Sequence, residues 1–237
     1  MTDYAYPNQL LDERETDQSA DWGMPNPQIV VDIFGLGFYG RWVKPAVDIF
    51  GGLVLTILTA PIVLVIVATI LVSMGRPAIF RQRRVGKNGR VFSIFKFRTM
   101  QPDRRNGGNQ YDGPNRRERH KSERDPRHTP VGRFLRKLSL DEIPQFWNVV
   151  LGHMSLVGPR PEMVEIVETK YEPWQHQRHL VKPGVTGLWQ ISARCDGTLM
   201  YEHTHVDLEY IKEITFLSDA RILLRTVPAI LGVRLGS

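Results

Sequence analysis

The sequence predicts an α+β chain, mainly α. It has one re-entrant membrane helix broken at Pro61, a small β-hairpin, and amphipathic interfacial helices around a helix that opens on Asp141-Glu142. Three observations carry this reading. Ile49 to Gly75 holds no charged residue and has Pro61 near its middle. Asn88-Gly89 separates two short apolar–basic stretches, a strong hairpin signal. Beyond Pro130, apolar residues recur at helical spacing between Gly and Pro breaks.

The chain has 237 residues, 42% of them hydrophobic, with formal net charge +6 and a pI near 9.6. That size predicts one domain plus tails. A single cysteine, Cys195, excludes an internal disulfide and fits a reducing compartment. The basic balance implies an anionic partner: nucleic acid, a phosphorylated substrate or membrane lipid. We divide the chain into a disordered tail (1–28), a membrane-associated segment (29–75) and a cytoplasmic domain carrying the candidate chemistry (76–237). The tail is polar and acidic, the opposite of a signal peptide's basic start.

Residues 29–45 mix aromatics with Arg41 and Lys44, which suits a membrane interface or a docking segment on the protein itself. The uncharged run that follows exceeds the roughly 20 apolar residues needed to cross a bilayer. Pro61 removes a helix hydrogen bond in its middle. Basic residues flank both ends: Arg41 and Lys44 before, Arg76, Arg81, Arg83, Arg84 and Lys87 after. The positive-inside rule then favours the same side for both ends, which a re-entrant hairpin satisfies. The alternative is a proline-kinked spanning helix.

The second hairpin strand alternates, with Phe92, Ile94 and Lys96 on one face and Val91, Ser93, Phe95 and Phe97 on the other. Lys96 and Arg98 emerge on the same side, where they can meet phosphate or lipid headgroups. Residues 101–127 form a charged, glycine-containing loop to which the sequence assigns no role. A short helix over 130–138 then sets Arg133 and Arg136 beside Asp141 and Glu142.

Ser139 and Glu142 have capping-box spacing, and Pro144 is tolerated only in a first turn, so a helix is predicted from about Asp141 to Gly152. Its apolar face is Ile143, Phe146, Trp147 and Val150. Free N–H groups and the helix dipole there would hold Asp141 ionised at low pKa. Such a carboxylate among arginines suits attack on a phosphate or the holding of Mg²⁺. The plainer reading is that both acids cap a helix.

Further helices are predicted at 162–171, 173–180, 201–214 and 218–231, the last capped by Ser218 and carrying Arg221 and Arg225 between apolar residues. That helix lies on a membrane or packs on the core. Lys182 to Gln190 reads as a rigid Gly/Pro loop bearing Trp189. His176-x-x-His179 and His203-x-His205 lack the Cys or Glu companions of a metal site and read as surface or satisfied histidines.

Five features in this order resemble the bacterial sugar transferases, the monotopic polyprenol-phosphate phosphoglycosyl transferases. They are the uncharged run with its proline, Lys96-Phe-Arg98-Thr-Met, Leu138-Ser-Leu-Asp141-Glu142-Ile-Pro-Gln, Gly158-Pro-Arg160-Pro161, and Pro183-Gly-Val-Thr-Gly-Leu-Trp-Gln190. The likeness covers about Lys44 to Ser237 and is nearest to the short enzymes that start exopolysaccharide repeat units. It implies transfer of a hexose 1-phosphate, with galactose ahead of glucose, from a UDP-sugar to undecaprenyl phosphate with release of UMP. Asp141 matches the nucleophile and metal contact, Glu142 the second carboxylate, and Arg136 and Arg160 the phosphate-binding arginines. The cofactor implied is Mg²⁺. The location implied is the bacterial inner membrane, with the active site facing the cytoplasm and nucleic acid not among the partners. One departure is Ala60-Pro61 where the family often has Ser-Pro; Thr56 or Thr59 would have to serve the backbone that proline leaves unbonded. Two other classes compete with this reading. A membrane-tethered nucleic-acid binder would explain the charge, and an anchored scaffold would explain the apolar run. The first lacks a recognition helix or basic–aromatic sheet, and the second leaves the Asp-Glu-Arg cluster without a purpose.

Overall fold

The computed structural model describes residues 37–101, 127, 129–192 and 199–230. The expected tail (1–28), most of the charged loop and Cys195 lie outside them. The described chain is mainly helical, with a two-stranded antiparallel hairpin and a short parallel pair.

A π-helical turn, Tyr39–Val43, leads into α1, Lys44–Met74. At 1.5 Å per residue α1 is about 46 Å long, apolar and long enough to cross a membrane. The expected break at Pro61 is not a break in the secondary structure: the helix runs on through it. A proline deletes one donor and leaves the flanking residues free to stay helical. Thr56 and Thr59 do not serve the carbonyl of Ile57, which proline leaves without its usual N–H. Their hydroxyls bond Gly52 O at 2.7 Å and Leu55 O at 2.6 Å, one turn earlier.

Both halves of α1 sit on the same body. In the first half Gly52 lets Val149 approach, and Asp48 accepts from Ser155 Oγ (2.7 Å) and from the Leu156 N–H (2.9 Å). Lys44 Nζ reaches Asp219 at 2.6 Å. In the second half Ile66 and Ile70 pack with Phe97 and Leu135. The helix end is closed by Arg98, whose guanidinium donates to the carbonyls of Met74 (2.7 Å), Gly75 and Arg76 (2.9 Å). The opposite face of α1, including Phe50, Leu58, Leu64, Val65 and Val72, is exposed.

The hairpin pairs β1, Ile79–Val85, with β2, Val91–Phe97, from Ile79↔Phe97 to Val85↔Val91. Asn88 and Gly89 take φ of 55° and 74° at its turn, as the Asn-Gly signal requires. Phe92 and Ile94 enter the main core with Val149, Met154, Leu156 and Ile211, and Lys96 continues along their face. Next comes α2, Pro130–Lys137, capped by Thr129 Oγ1, which accepts from Gly132 N at 2.9 Å. A 3₁₀ turn, Leu140–Glu142, joins it to α3, Gln145–Val150, and Gly152 (φ 79°) ends the turn after α3.

The parallel pair is absent from the sequence reading. β3, Ser155–Val157, pairs with β4, Gly184–Thr186, inside what reads as a Pro-Gly loop. Gly158 and Gly184 pack backbone to backbone there, and a Cβ on Gly184 would lie 2.1 Å from Gly158 N. Around this pair lie α4 (Val164–Lys170), a 3₁₀ helix (Pro173–Leu180), α5 (Leu188–Ser192), α6 (Thr204–Lys212) and α7 (Phe216–Ile230). The start of α7 precedes Ser218: Thr215 and Ser218 exchange side-chain-to-backbone bonds of 2.9 and 3.1 Å. This reciprocal cap makes Thr215 the capping residue and puts Ser218 in the first turn. One face of α7 buries Asp219 and Ile222 in the core, and the other exposes Phe216, Leu217, Leu224 and Val227.

Candidate active site

Ser139 turns the chain out of α2 in the left-handed region (φ 54°) and so brings Asp141 and Glu142 round to β2. Its side chain does not cap, so the capping box does not form. Tertiary partners take Glu142 instead. Its Oε1 accepts from Lys96 Nζ at 2.9 Å and from Arg160 Nη2 at 2.7 Å. Both ion pairs are largely shielded from solvent.

Asp141, next door, is half-buried and makes no hydrogen bond among the described residues. Its carboxyl is held above the usual range, first by burial and then by the charge of Glu142. Lys96, Arg136 and Arg160 pull the other way without reversing it. This corrects the expectation of a depressed pKa. The turn that carries Asp141 is a single 3₁₀ turn with little dipole to offer, and two of the nearby cations are already engaged by Glu142. Burial lowers the ammonium of Lys96, with Glu142 only partly opposing it. Burial also pulls Arg160 down, but Glu142 more than offsets this and the net direction is up.

The structure thus brings together Lys96, Arg136, Asp141, Glu142 and Arg160. It does not bring Arg98, whose fork is occupied by the carbonyls that end α1. Pro61 lies in the middle of α1, outside these contacts. His176 and His179 pack on Tyr171, His179 parallel to it at 5.7 Å, and burial keeps both imidazoles below their ordinary pKa.

Residues passed over in the sequence hold Arg160 in place. Arg178, fully buried, donates to Arg160 O at 2.7 Å, lies 2.6 Å from Asp207 and also bonds the Tyr171 hydroxyl. From the other side, Arg84 donates to Pro161 O at 3.1 Å and pairs with Glu162 at 3.7 Å. The Gly158–Pro161 segment is therefore clamped through its backbone, and only the Arg160 side chain projects to Glu142. Asp207 and Arg178 lie 29 positions apart in a stretch without a motif, so no local signal marks them.

The family model described as bacterial sugar transferase matches residues 39–233. The chain belongs to this family. Among its relatives, a galactosyl transferase, CpsE, of Streptococcus agalactiae is 47% identical over 66% of this chain and 35% of its own length. A UDP-glucose:undecaprenyl-phosphate glucose-1-phosphate transferase of Caulobacter vibrioides is 36% identical over 88% of this chain and 74% of its own. The exopolysaccharide production protein ExoY of Rhizobium meliloti is 36% identical over 81% and 86%. The chain therefore spans about a third of the length of CpsE and most of the length of the other two.

Two outcomes follow for this chain. Replacing Arg178 by Gln leaves Asp207 buried and unpaired, so stability should fall by about 3–5 kcal/mol in a denaturation series. The double variant Arg178→Met, Asp207→Leu should regain much of that stability. Its turnover should remain at least about tenfold low, because Arg160 O has lost its charged donor. Recovery of turnover together with stability would show that the clamp only supports folding. The second outcome concerns pH. With the Asp141 pKa raised, kcat/KM should climb with pH through a midpoint above the usual aspartate value of about 3.9. Glu142→Gln removes a cause of the rise and frees two cations, so the midpoint of its residual activity should move down. An unmoved or higher midpoint would contradict the electrostatic assignment.

Proposed function

We propose that the protein transfers a hexose 1-phosphate from a UDP-hexose to undecaprenyl phosphate, releasing UMP, as the first membrane step of exopolysaccharide synthesis. The observation that carries this is the asymmetry of the two adjacent carboxylates. Glu142 is fixed by Lys96 and Arg160, and Asp141 is left unbonded among cations. An oxygen of Asp141 attacks the β-phosphorus of the donor. The bond from that phosphorus to the bridging oxygen breaks, UMP leaves, and hexose phosphate remains on Asp141. A phosphate oxygen of the lipid then attacks the same phosphorus and releases Asp141. Arg136 and Arg160 present planar donors to the phosphates, and Lys96 supports the cluster from β2.

A divalent cation fits this donor set. Mg²⁺ commonly takes one or two carboxylates together with substrate phosphate oxygens, and the unbonded Asp141 offers such a carboxylate. When bound it supplies charge neutralisation of the diphosphate. Galactose is our preferred hexose, in keeping with the name of the 47% identical relative; glucose is the alternative, in keeping with the Caulobacter enzyme.

We also read α1 as monotopic, entering and leaving the leaflet on the cytoplasmic side of the inner membrane. Support comes from its two halves, each seated on the same body by buried contacts. An element attached in this way cannot put its ends across a roughly 30 Å hydrocarbon layer without pulling charged residues into it.

Purified protein given UDP-galactose or UDP-glucose, Mg²⁺ and undecaprenyl phosphate should release UMP, faster with galactose. Asp141→Asn should abolish release while remaining at least as stable at neutral pH. The sign follows from the raised pKa: ionising Asp141 disfavours the folded state once the pH exceeds the unfolded value, and Asn removes that charge. Substantial turnover by Asp141→Asn would sink the covalent route. For topology, single cysteines at Trp42→Cys and Arg76→Cys, in a Cys195→Ser background, should both react with an impermeant maleimide from the cytoplasmic side of oriented vesicles. Reaction from opposite sides would mean that α1 spans the membrane.

A further inference from the structure

Where the turn of the hairpin meets the start of α1, a small cavity of about 60 Å³ is lined by Gly40, Lys44, Pro45, Asp48, Lys87 and Lys182, among others. Lys87 opens the turn between β1 and β2, which the left-handed Asn88 and Gly89 shape and the Gly86 N–H closes by donating to Arg90 O at 2.8 Å. Lys182 is placed as firmly, since its neighbour Pro183 accepts from Ser155 N at 2.8 Å. Neither lysine has an ion pair among the described residues. The acids at hand are already taken. Asp48 accepts from Ser155 Oγ and the Leu156 N–H, and Asp219 from Tyr39, Lys44 and Tyr210. Partial desolvation, and then the charge of Lys182, lower the ammonium of Lys87; the same two causes lower the imidazole of His153. Two ammonium groups that line one cavity without a carboxylate of their own suit an anion.

The place of the cavity identifies that anion. Trp42, two residues before Lys44, is 67% exposed, and the apolar run of α1 begins just beyond. Aromatics that open a membrane helix sit at the headgroup level, so the cavity beside them lies there too. Pockets for whole small molecules run to about 300 Å³ or more, and this one suits a single phosphate group. It is also separate from the Glu142 cluster. Lys96 lies five residues along β2 from Val91, which pairs beside the turn, a distance of about 17 Å. We propose that Lys87 and Lys182 bind the phosphate of an anionic phospholipid headgroup and so hold the start of α1 at the membrane surface. The inference rests on the reading of α1 as a membrane helix and not on the reaction at Asp141.

The test is a titration of the full chain, in uncharged detergent, with phosphatidylglycerol or with phosphatidylcholine, whose own ammonium neutralises its phosphate. Binding is read as the rise in Tm, which follows lipid concentration relative to Kd. Phosphatidylglycerol should stabilise the parent more than phosphatidylcholine does. Lys87→Gln with Lys182→Gln should raise the Kd for phosphatidylglycerol about tenfold or more. Arg81→Gln with Arg83→Gln removes the same charge from exposed positions of β1 and should leave Kd within about twofold. Equal weakening by both pairs would reduce the effect to net charge, and no weakening by the lysine pair would empty the site; either overturns the proposal. Inorganic phosphate at the same concentration should not displace the lipid, and displacement would make this a soluble-anion site instead. A second arm needs no variant: phosphatidylglycerol with a diazirine on its headgroup should label the peptide containing Lys182. Labelling confined to other peptides would overturn the proposal. Flotation with phosphatidylcholine vesicles separates the inference from the reading beneath it. Parent and lysine pair should both float; loss of phosphatidylglycerol selectivity with flotation intact counts against the site alone, and a parent that does not float overturns both.

Discussion

A carboxylate shared by two cations from distant segments ties this molecule together. Glu142 is reached by Lys96 from the hairpin and by Arg160 from the loop after β3, at 2.9 and 2.7 Å. Taking these charges out of water costs several kcal/mol per ion, and only close geometry repays it. The rest of the site serves that geometry. The left-handed Ser139 aims the turn, β2 holds Lys96 at the end of its buried face, and two arginines clamp the backbone on either side of Arg160–Pro161. The consequence for Asp141 is that its neighbour satisfies the cations and leaves it desolvated and unbonded. A carboxylate in that state suits the proposed attack on a phosphate that brings its own counter-ion.

The same body fixes the long apolar helix. Asp48 and Lys44 anchor its start in the core beside Ser155 and Asp219, and Arg98 closes its end. Lys96 at the end of β2 and Arg98 just beyond it are two positions apart, so a single segment connects the Glu142 cluster to the end of α1. α1 thus combines an exposed apolar face with buried contacts to the body that carries Asp141. The exposed apolar faces of α1 and α7, with Phe134 on α2, give the domain a surface suited to the headgroup boundary.

Much of this was legible in the residues. Charge-free length marked α1, Asn-Gly marked the hairpin turn, and Asp141-Glu142 between arginines marked the charged cluster around Glu142. What failed did so for tertiary reasons. Ser139-x-x-Glu142 has capping-box spacing, but Glu142 had stronger partners 46 and 18 positions away. Period-two alternation put Lys96 and Arg98 on one side correctly but cannot say what each meets, and Arg98 met helix-end carbonyls. β3 and β4 have three residues each, too short for a periodic signal, and the glycines that let them pack closely read as loop. Arg178 and Asp207 carry no motif, since a buried clamp is defined only by the fold that buries it.

The central claim is that Asp141, and not its bridged neighbour, carries the phosphosugar. The direct measurement is to incubate the protein with UDP-hexose and Mg²⁺ without lipid, quench in acid, digest, and locate the hexose-phosphate adduct by fragmentation mass spectrometry. The account predicts an adduct on Asp141 that disappears when undecaprenyl phosphate is added. An adduct on Glu142, or none at all while transfer proceeds, would contradict it.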